Sequence, residues 1–232
     1  MASYICYAVV SVIWMFEFVH HYPESSSTLS RMAVTCRDAG YDAVVSRNHV
    51  EMEGEDGGMD GEDGVGGCVK VEDVEIYRGV EAVVDSLNQL YGLIDRHQDV
   101  DILAVHGGDG GVNIEASESG RVDVVSHPTR GEFNHVFVRN CSENDVAVEF
   151  NLRRVLKRSG GGRVRVLENL RKLLRLVRKY DTPYIISCDP HSHLDVRGRR
   201  EIASLCSTIG FEDDEIEKGM KETPSRMVEE KD

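Results

Sequence analysis

From residue 15 the chain repeats one unit: a short apolar run, a polar step, then a stretch whose apolar residues recur at helical spacing. Seven runs read as strands: 16–20 (FEFVH), 42–46 (DAVVS), 74–80 (VEIYRGV), 101–106 (DILAVH), 122–126 (VDVVS), 145–150 (DVAVEF) and 183–187 (PYIIS). They are rich in Val and Ile and almost continuously apolar, as strands covered on both faces are. The stretch 25–40 (SSSTLSRMAVTCRDAG) has Ser/Thr caps at its start and Gly40 at its end, the marks of a helix. Two longer amphipathic stretches, 80–97 and 164–180, predict further helices. Strands alternating with helices imply βα units around a parallel sheet.

A closed barrel and an open doubly wound sheet both satisfy that pattern, and the polar steps favour the barrel. VHH at 19–21, SRNH at 46–49, VHGGD at 105–109, SHP at 126–128, EFN at 149–151 and SCDPHSH at 187–193 end one strand after another. A (β/α) barrel gathers all such ends on one face, where the fold keeps its sites. The expected architecture is a single (β/α) barrel domain over 15–221, with 222–232 as a flexible tail.

Three stretches stand outside the repeat. Residues 51–68 hold seven acids and seven glycines, which cannot build a core element and lack the ligand spacing of an EF-hand, so a solvated loop is expected. HGGDGG at 106–111 follows a strand but has neither a GK[ST] ending nor GxGxxG, and predicts a tight turn. Residues 1–14 carry no charge, no basic leader region and too short an apolar run to span a bilayer. With Met15 as a natural start, 1–14 is expected to be a non-native extension, and no membrane partner is expected.

Composition sharpens this picture. The 232 residues are 41% hydrophobic, enough for a sizeable core. The net charge is -14, and only seven of the 27 cationic residues are lysine, a balance that suits a halophilic protein in concentrated salt. Six cysteines show no paired spacing and read as reduced thiols in a cytoplasmic protein. Against this acidity, residues 151–200 hold 14 Lys/Arg and four acids. On the helix within that block, Arg171, Lys172, Arg175, Arg178 and Lys179 form an arc opposite the apolar face, able to follow phosphates or to remain solvated.

The polar ends carry His20, His21, His49, His106, His127, Asp189, His191 and His193. Imidazoles and a carboxylate converging on a barrel mouth can hold Zn or Mn and activate water. They can equally form a hydrogen-bonded mouth without metal; there is no HExxH and no H-x-H after the first strand.

FEFVHHYPESSSTLSRMAVTCRDAGYDAVVSRNH, VDVVSHP, VAVEFNL and ISCDPHSHLDVRGRREIASLCSTIGF, in that order, resemble the ribonuclease P protein component 3 family, archaeal counterparts of the eukaryotic p30 subunit. The resemblance runs over nearly all of 15–221. It implies a TIM-barrel-like fold related to PHP phosphoesterases. It also implies a subunit of the RNA-based endonuclease that removes the 5′ leader of precursor tRNA, the RNA and its Mg2+ being the catalyst. Implied partners are ribonuclease P RNA and other protein subunits, especially component 2. Where related phosphoesterases carry H-x-H, this chain reads His20-His21-Tyr22. On this reading no residue is catalytic, and contact with RNA or partner falls to Arg153, Arg154, Arg163, Arg165, Arg171, Lys172, Arg175, Arg178, Lys179, Arg197, Arg199 and Arg200. The alternative, a metal-dependent phosphoesterase, would use His20, His49, His127, Asp189 and His191.

Overall fold

The computed structural model describes residues 14–51, 69–131, 133–229 and 231. The acidic stretch past residue 51 and residues 1–13 therefore lie outside the described residues. All seven expected strands form: β1 (Phe16–Val19), β2 (Ala43–Val50), β4 (Val74–Ala82), β5 (Ile102–His106), β6 (Val124–Ser126), β7 (Ala147–Asn151) and β8 (Tyr184–Ser187). They pair in parallel in the order β1-β2-β4-β5-β6-β7-β8, and a short β3 (Val69–Val71) adds antiparallel to β4. The result is a nearly closed parallel barrel wrapped in helices.

The helices follow their local chemistry. In α1 (Leu29–Asp38) the Thr28 side chain accepts from the Arg31 amide, and Met32, Ala33 and Cys36 face the sheet. Thr28→Ala should cost about 1 kcal/mol, read as a lower urea midpoint at unchanged slope. The stretch 80–97 is helical only over α2 (Leu87–Arg96), because 80–82 continues β4. HGGDGG runs from the end of β5 through the tight connection 107–109 into the first residues of α3 (Gly110–Glu118), whose Asp109 cap accepts from the Gly111 and Val112 amides. Then come α4 (His135–Glu143), the short α5 (Arg153–Lys157), and α6 (Gly160–Tyr180), which buries Val166, Leu170, Leu173, Leu174 and Val177.

The C-terminal region departs from expectation. After α7 (Arg199–Ile209) and α8 (Asp213–Glu217), a π-helical turn, Lys218–Glu222, leads into α9 (Thr223–Glu229). Residues 222–229 are thus a packed helix, not a flexible tail: Met227 and Val228 are buried against the barrel floor. Gly219 makes this docking possible, since a Cβ there would lie 2.8 Å from the Tyr184 ring and 2.9 Å from Ile186.

The barrel's alternation is hidden in the sequence because both strand faces are apolar. Phe16, Phe18, Ala43, Val45, Tyr77, Ile102, Ala104, Val124, Ala147 and Ile185 fill the lower interior. Register holds these positions side by side, as in Phe18↔Val45, Val45↔Tyr77 and Ala104↔Val124. The same inward parity, continued toward the C-terminal ends, delivers His20, Arg47 and His49, Glu81, His106, Ser126, Glu149 and Asp189. Below is hydrocarbon; above is charge.

Among the described residues no ladder joins β8 to β1. Glu17, on the outward side of β1 yet 1% exposed, spans that seam. Its carboxylate accepts from the Phe18 and Cys188 amides, from Ser187 Oγ at 3.0 Å and from the Tyr41 hydroxyl at 3.2 Å. Cys36, Cys141, Cys188 and Cys206 are free and buried, and burial pushes the Cys206 thiol up to about 12.

Candidate functional site

The mouth is organised by a residue that the strand-end pattern did not single out. Arg47, wholly buried, continues the inward row of β2 above Ala43 and Val45 and ends among three carboxylates. Its guanidinium donates to Glu149 Oε1 at 2.5 Å and to Ser126 Oγ at 2.8 Å, and Nη2 lies 3.4 Å from Asp189 Oδ1. Nε is 3.6 Å from Glu81 Oε2, and the Phe18 ring lies beneath at 5.3 Å. Burial alone would weaken the charge on Arg47. Glu149, Glu81 and Asp189 outweigh that and hold the guanidinium more firmly protonated than usual.

The histidines form the next layer outward. His20 Nε2 lies 2.9 Å from Asp189 Oδ1 and Nδ1 lies 3.1 Å from Glu24 Oε2, while His191 stacks on the ring at 4.2 Å. His49 Nδ1 sits 2.5 Å from Glu24 Oε1, and His106 Nδ1 sits 2.5 Å from Glu81 Oε1. His127 Nε2 is 3.5 Å from Asp189 Oδ2.

These contacts set the charges. Burial opposes protonation of His20 and His49, but hydrogen bonds to Asp189 and Glu24, and to Glu24 and Glu81, win: His20 is raised and His49 reaches about 10. Burial likewise opposes ionisation of Glu24, Glu81 and Asp189. Hydrogen bonds from His20 and His49 overcome it at Glu24. Arg47 and the adjacent histidines overcome it at Glu81 and Asp189, so all three sit below their usual values. Glu149 is pushed up by burial, and burial drops His127 to about 3. The shifts favour the charged forms of Arg47, His20 and His49 and of Glu24, Glu81 and Asp189, while Glu149, raised by burial, also faces the Arg47 guanidinium.

These contacts bear on metal binding. Three groups, His20-Glu24-His191, His20-His49-Glu81 and Glu81-His106-His127, bring donor atoms within 4.8 Å of one another. Both ring nitrogens of His20 already face carboxylates, however, and Arg47 already stands among the inward carboxylates. The residues present fit a closed ion network better than a transition-metal centre.

The five residues of the phosphoesterase alternative, His20, His49, His127, Asp189 and His191, do meet at the mouth. His21 and His193 do not join them. His21 turns to the Tyr22 carbonyl at 2.7 Å, and His193 bonds Ser27 Oγ at 2.9 Å beside α1. Arg47 and Glu149 sit inside the polar ends SRNH and EFN without standing out there, and Glu81 and Glu24 lie outside those ends. Counting by twos from Phe16-Phe18-His20 would have found the inward ones, because register then carries the parity around the barrel.

The basic block divides into engaged and open residues. Arg178 grips Glu215 with two hydrogen bonds of 2.7 Å, and Arg199 pairs with Glu217. Arg171 donates to the Thr208 carbonyl, Arg197 to the Leu194 and Val196 carbonyls, and Arg163 to the Arg158 carbonyl. Lys172 and Lys179 lie over Phe133 and Tyr180. Arg165, Arg175 and Arg200 are exposed and have no ion pair among the described residues. Arg153 and Arg154 lie on α5, apart from α6, and line a cavity of about 340 Å³ over the mouth, with Arg130, Lys157, Arg158, His49, His106, His127, Asp189 and His191.

Comparison with known proteins agrees with this geometry. The family model described as RNase P subunit p30 matches residues 9–232. "Ribonuclease P protein component 3" of Natronomonas pharaonis is 40% identical, covering 89% of this chain and 84% of that protein. The Haloarcula marismortui protein of that name is 36% identical over 90% of this chain and 87% of its own length. In solved structures, a chain of an archaeal ribonuclease P with mature tRNA superposes with a TM-score of 0.76 at 21% identity, covering 94% of this chain and 91% of that one. A histidinol phosphate phosphatase from Lactococcus lactis, complexed with zinc, L-histidinol and phosphate, superposes with a TM-score of 0.60 at 12% identity, covering 85% and 94%. The last two likenesses concern the fold.

Proposed function

The chain belongs to the RNase P subunit p30 family, and from that membership we propose that its barrel is a support for the catalytic RNA rather than a catalyst. As a protein subunit of ribonuclease P it serves the endonuclease that matures the 5′ end of tRNA. The observation that carries the non-catalytic reading is Arg47: its guanidinium stands where the inward carboxylates of the barrel meet. A phosphoesterase would need those carboxylates and His20 free to hold metal. On this reading the chain binds no metal of its own, and Mg2+ serves the RNA.

The partners are ribonuclease P RNA and fellow protein subunits, component 2 first among them, with precursor tRNA as substrate of the assembly. Outside the barrel mouth, the open cations Arg165, Arg175 and Arg200 are the best-placed members of the basic block for phosphates, since the others there already hold carboxylates, carbonyls or rings. No helix among the described residues is long and apolar enough to cross a membrane, and the acidic, lysine-poor composition suits the cytoplasm of a salt-adapted cell.

Two measurements test this. Tagged chain isolated at native salt should bring down one abundant structured RNA, and the eluate should cut precursor tRNA at its 5′ end. An RNA-free eluate carrying stoichiometric zinc or manganese and phosphatase activity would instead favour the phosphoesterase. For affinity to that RNA, Arg165→Gln, Arg175→Gln and Arg200→Gln should each flatten the slope of log K against log salt by roughly 0.7–1 for every phosphate the side chain had neutralised.

A further inference from the structure

We propose that the cationic cavity over the barrel mouth is a phosphate-ester site, with Arg130, Arg154 and Arg158 as its anion-binding groups. Arg130 ends the turn after β6, and Arg154 and Arg158 lie on and just after α5, beyond β7, so two loops of the mouth aim three guanidiniums into one space. None of the three has a carboxylate partner among the described residues, in a chain whose net charge is -14, although Arg130 also meets the His106 ring at Nε2 on the cavity wall. Two neighbouring cations differ: Arg153 and Lys157 both pair with Asp195, at 3.3 and 2.5 Å, and are held as the rim.

The placement is built into the backbone. Gly131 sits against Gly108, so closely that a Cβ at 131 would overlap the Gly108 carbonyl, and this pins the Arg130 turn to the loop after β5. The one carboxylate in the lining is already engaged, because Asp189 faces His20 at 2.9 Å, Arg47 at 3.4 Å and His191 at 3.6 Å. The floor therefore presents little free negative charge to an incoming anion. Burial lowers Arg154 below the usual arginine value, and Arg158 and Arg130 add to the effect. These are cations crowded without a counter-ion, a stress that a bound oxyanion relieves. Guanidinium groups meet phosphate through paired N–H donors, and the cavity leaves room for an attached sugar.

A phosphate ester could come from the RNA backbone or from a small phosphorylated molecule. The RNA source rests on the subunit reading above; the site itself does not. The full chain, with labelled arginine side chains, would be titrated by NMR with inorganic phosphate at constant ionic strength. Saturable shifts confined to the cavity arginines are expected, with Arg154→Gln and Arg158→Gln each weakening binding about tenfold and Arg121→Gln leaving it unchanged. Arg158 is exposed, so its variant should keep the wild-type melting curve and separate lost binding from lost fold. Absence of saturation, or equal weakening by Arg121→Gln, overturns the proposal.

The same variants, tested for affinity to ribonuclease P RNA, identify the source. A parallel loss assigns the site to a backbone phosphate; retained RNA affinity assigns it to a small ester. Phosphate binding by a chain that takes up no such RNA would keep the site and discard the subunit reading.

Discussion

Arg47→Ala is expected to destabilise the barrel by about 3–5 kcal/mol, the range for removing one partner of a buried ion cluster. The cause is what remains: Glu81, Glu149 and Asp189, each at most 1% exposed in its side chain, would face one another without their shared cation. Ser126 would also lose its donor. Arg47→Met, which keeps much of the stem volume over Phe18, should still be strongly destabilising, because the uncompensated charge costs more than the cavity. Adding Glu149→Gln to Arg47→Met should recover part of the loss, since it removes one of the stranded carboxylates. Denaturant unfolding of the two single variants and the double decides the matter. A loss under about 1 kcal/mol for Arg47→Ala would mean that the carboxylates shed their charge at little cost, and the network would not be what holds the mouth.

Glu17 should make stability fall as pH rises. Burial lifts its carboxyl from the ordinary 4.5 to about 7, against the hydrogen bonds from Phe18, Ser187, Cys188 and Tyr41. The folded state thus holds a proton between those values that the unfolded chain releases. The contribution of this residue is greatest below about pH 4.5, declines up to about 7 and stays constant above. The full swing is about 3 kcal/mol. Glu17→Gln keeps an acceptor for the Cys188 amide and titrates nothing, so the variant should gain on the wild type as pH rises from 5 to 8. Unfolding curves of both proteins at the two ends of that window isolate the effect, because every other titrating group is common to them. A difference that stays level across the window would show that Glu17 is ionised throughout and that the β1–β8 seam tolerates its charge.

Much of this protein is legible in one dimension. The seven strands are visible because each is an apolar run bounded by polar residues, and their order follows from the alternation with helices. That polar strand ends would collect on one face follows from the barrel itself, and His20, His49, His127, Asp189 and His191 do collect there. Sequence likewise exposes the basic block and, through a long resemblance in constant order, the family. The helix expected at 80–97 is too long because Val80, Glu81 and Ala82 fit a helical apolar stripe as well as a strand, and only pairing with β2 and β5 resolves them. The C-terminal helix escapes sequence reading because a short polar segment carries no local reason to be ordered; Met227 and Val228 become anchors only where the barrel floor is open to them.

What the sequence determined by itself was the order of the seven parallel strands (though not the short β3), the face that would hold the polar residues and the family. Those depend on local hydrophobic pattern and on residue identity, both of which can be read along the chain. What the tertiary structure alone decided was the charge state of the mouth and the fate of each cation. An arginine at position 47 looks like any surface cation until parity turns it inward between Glu81, Glu149 and Asp189. Arg178 and Arg154 look alike until one meets Glu215 and the other stands beside Arg130 and Arg158. Coulomb energy and desolvation depend on distance in space, and that distance exists only once the barrel has closed.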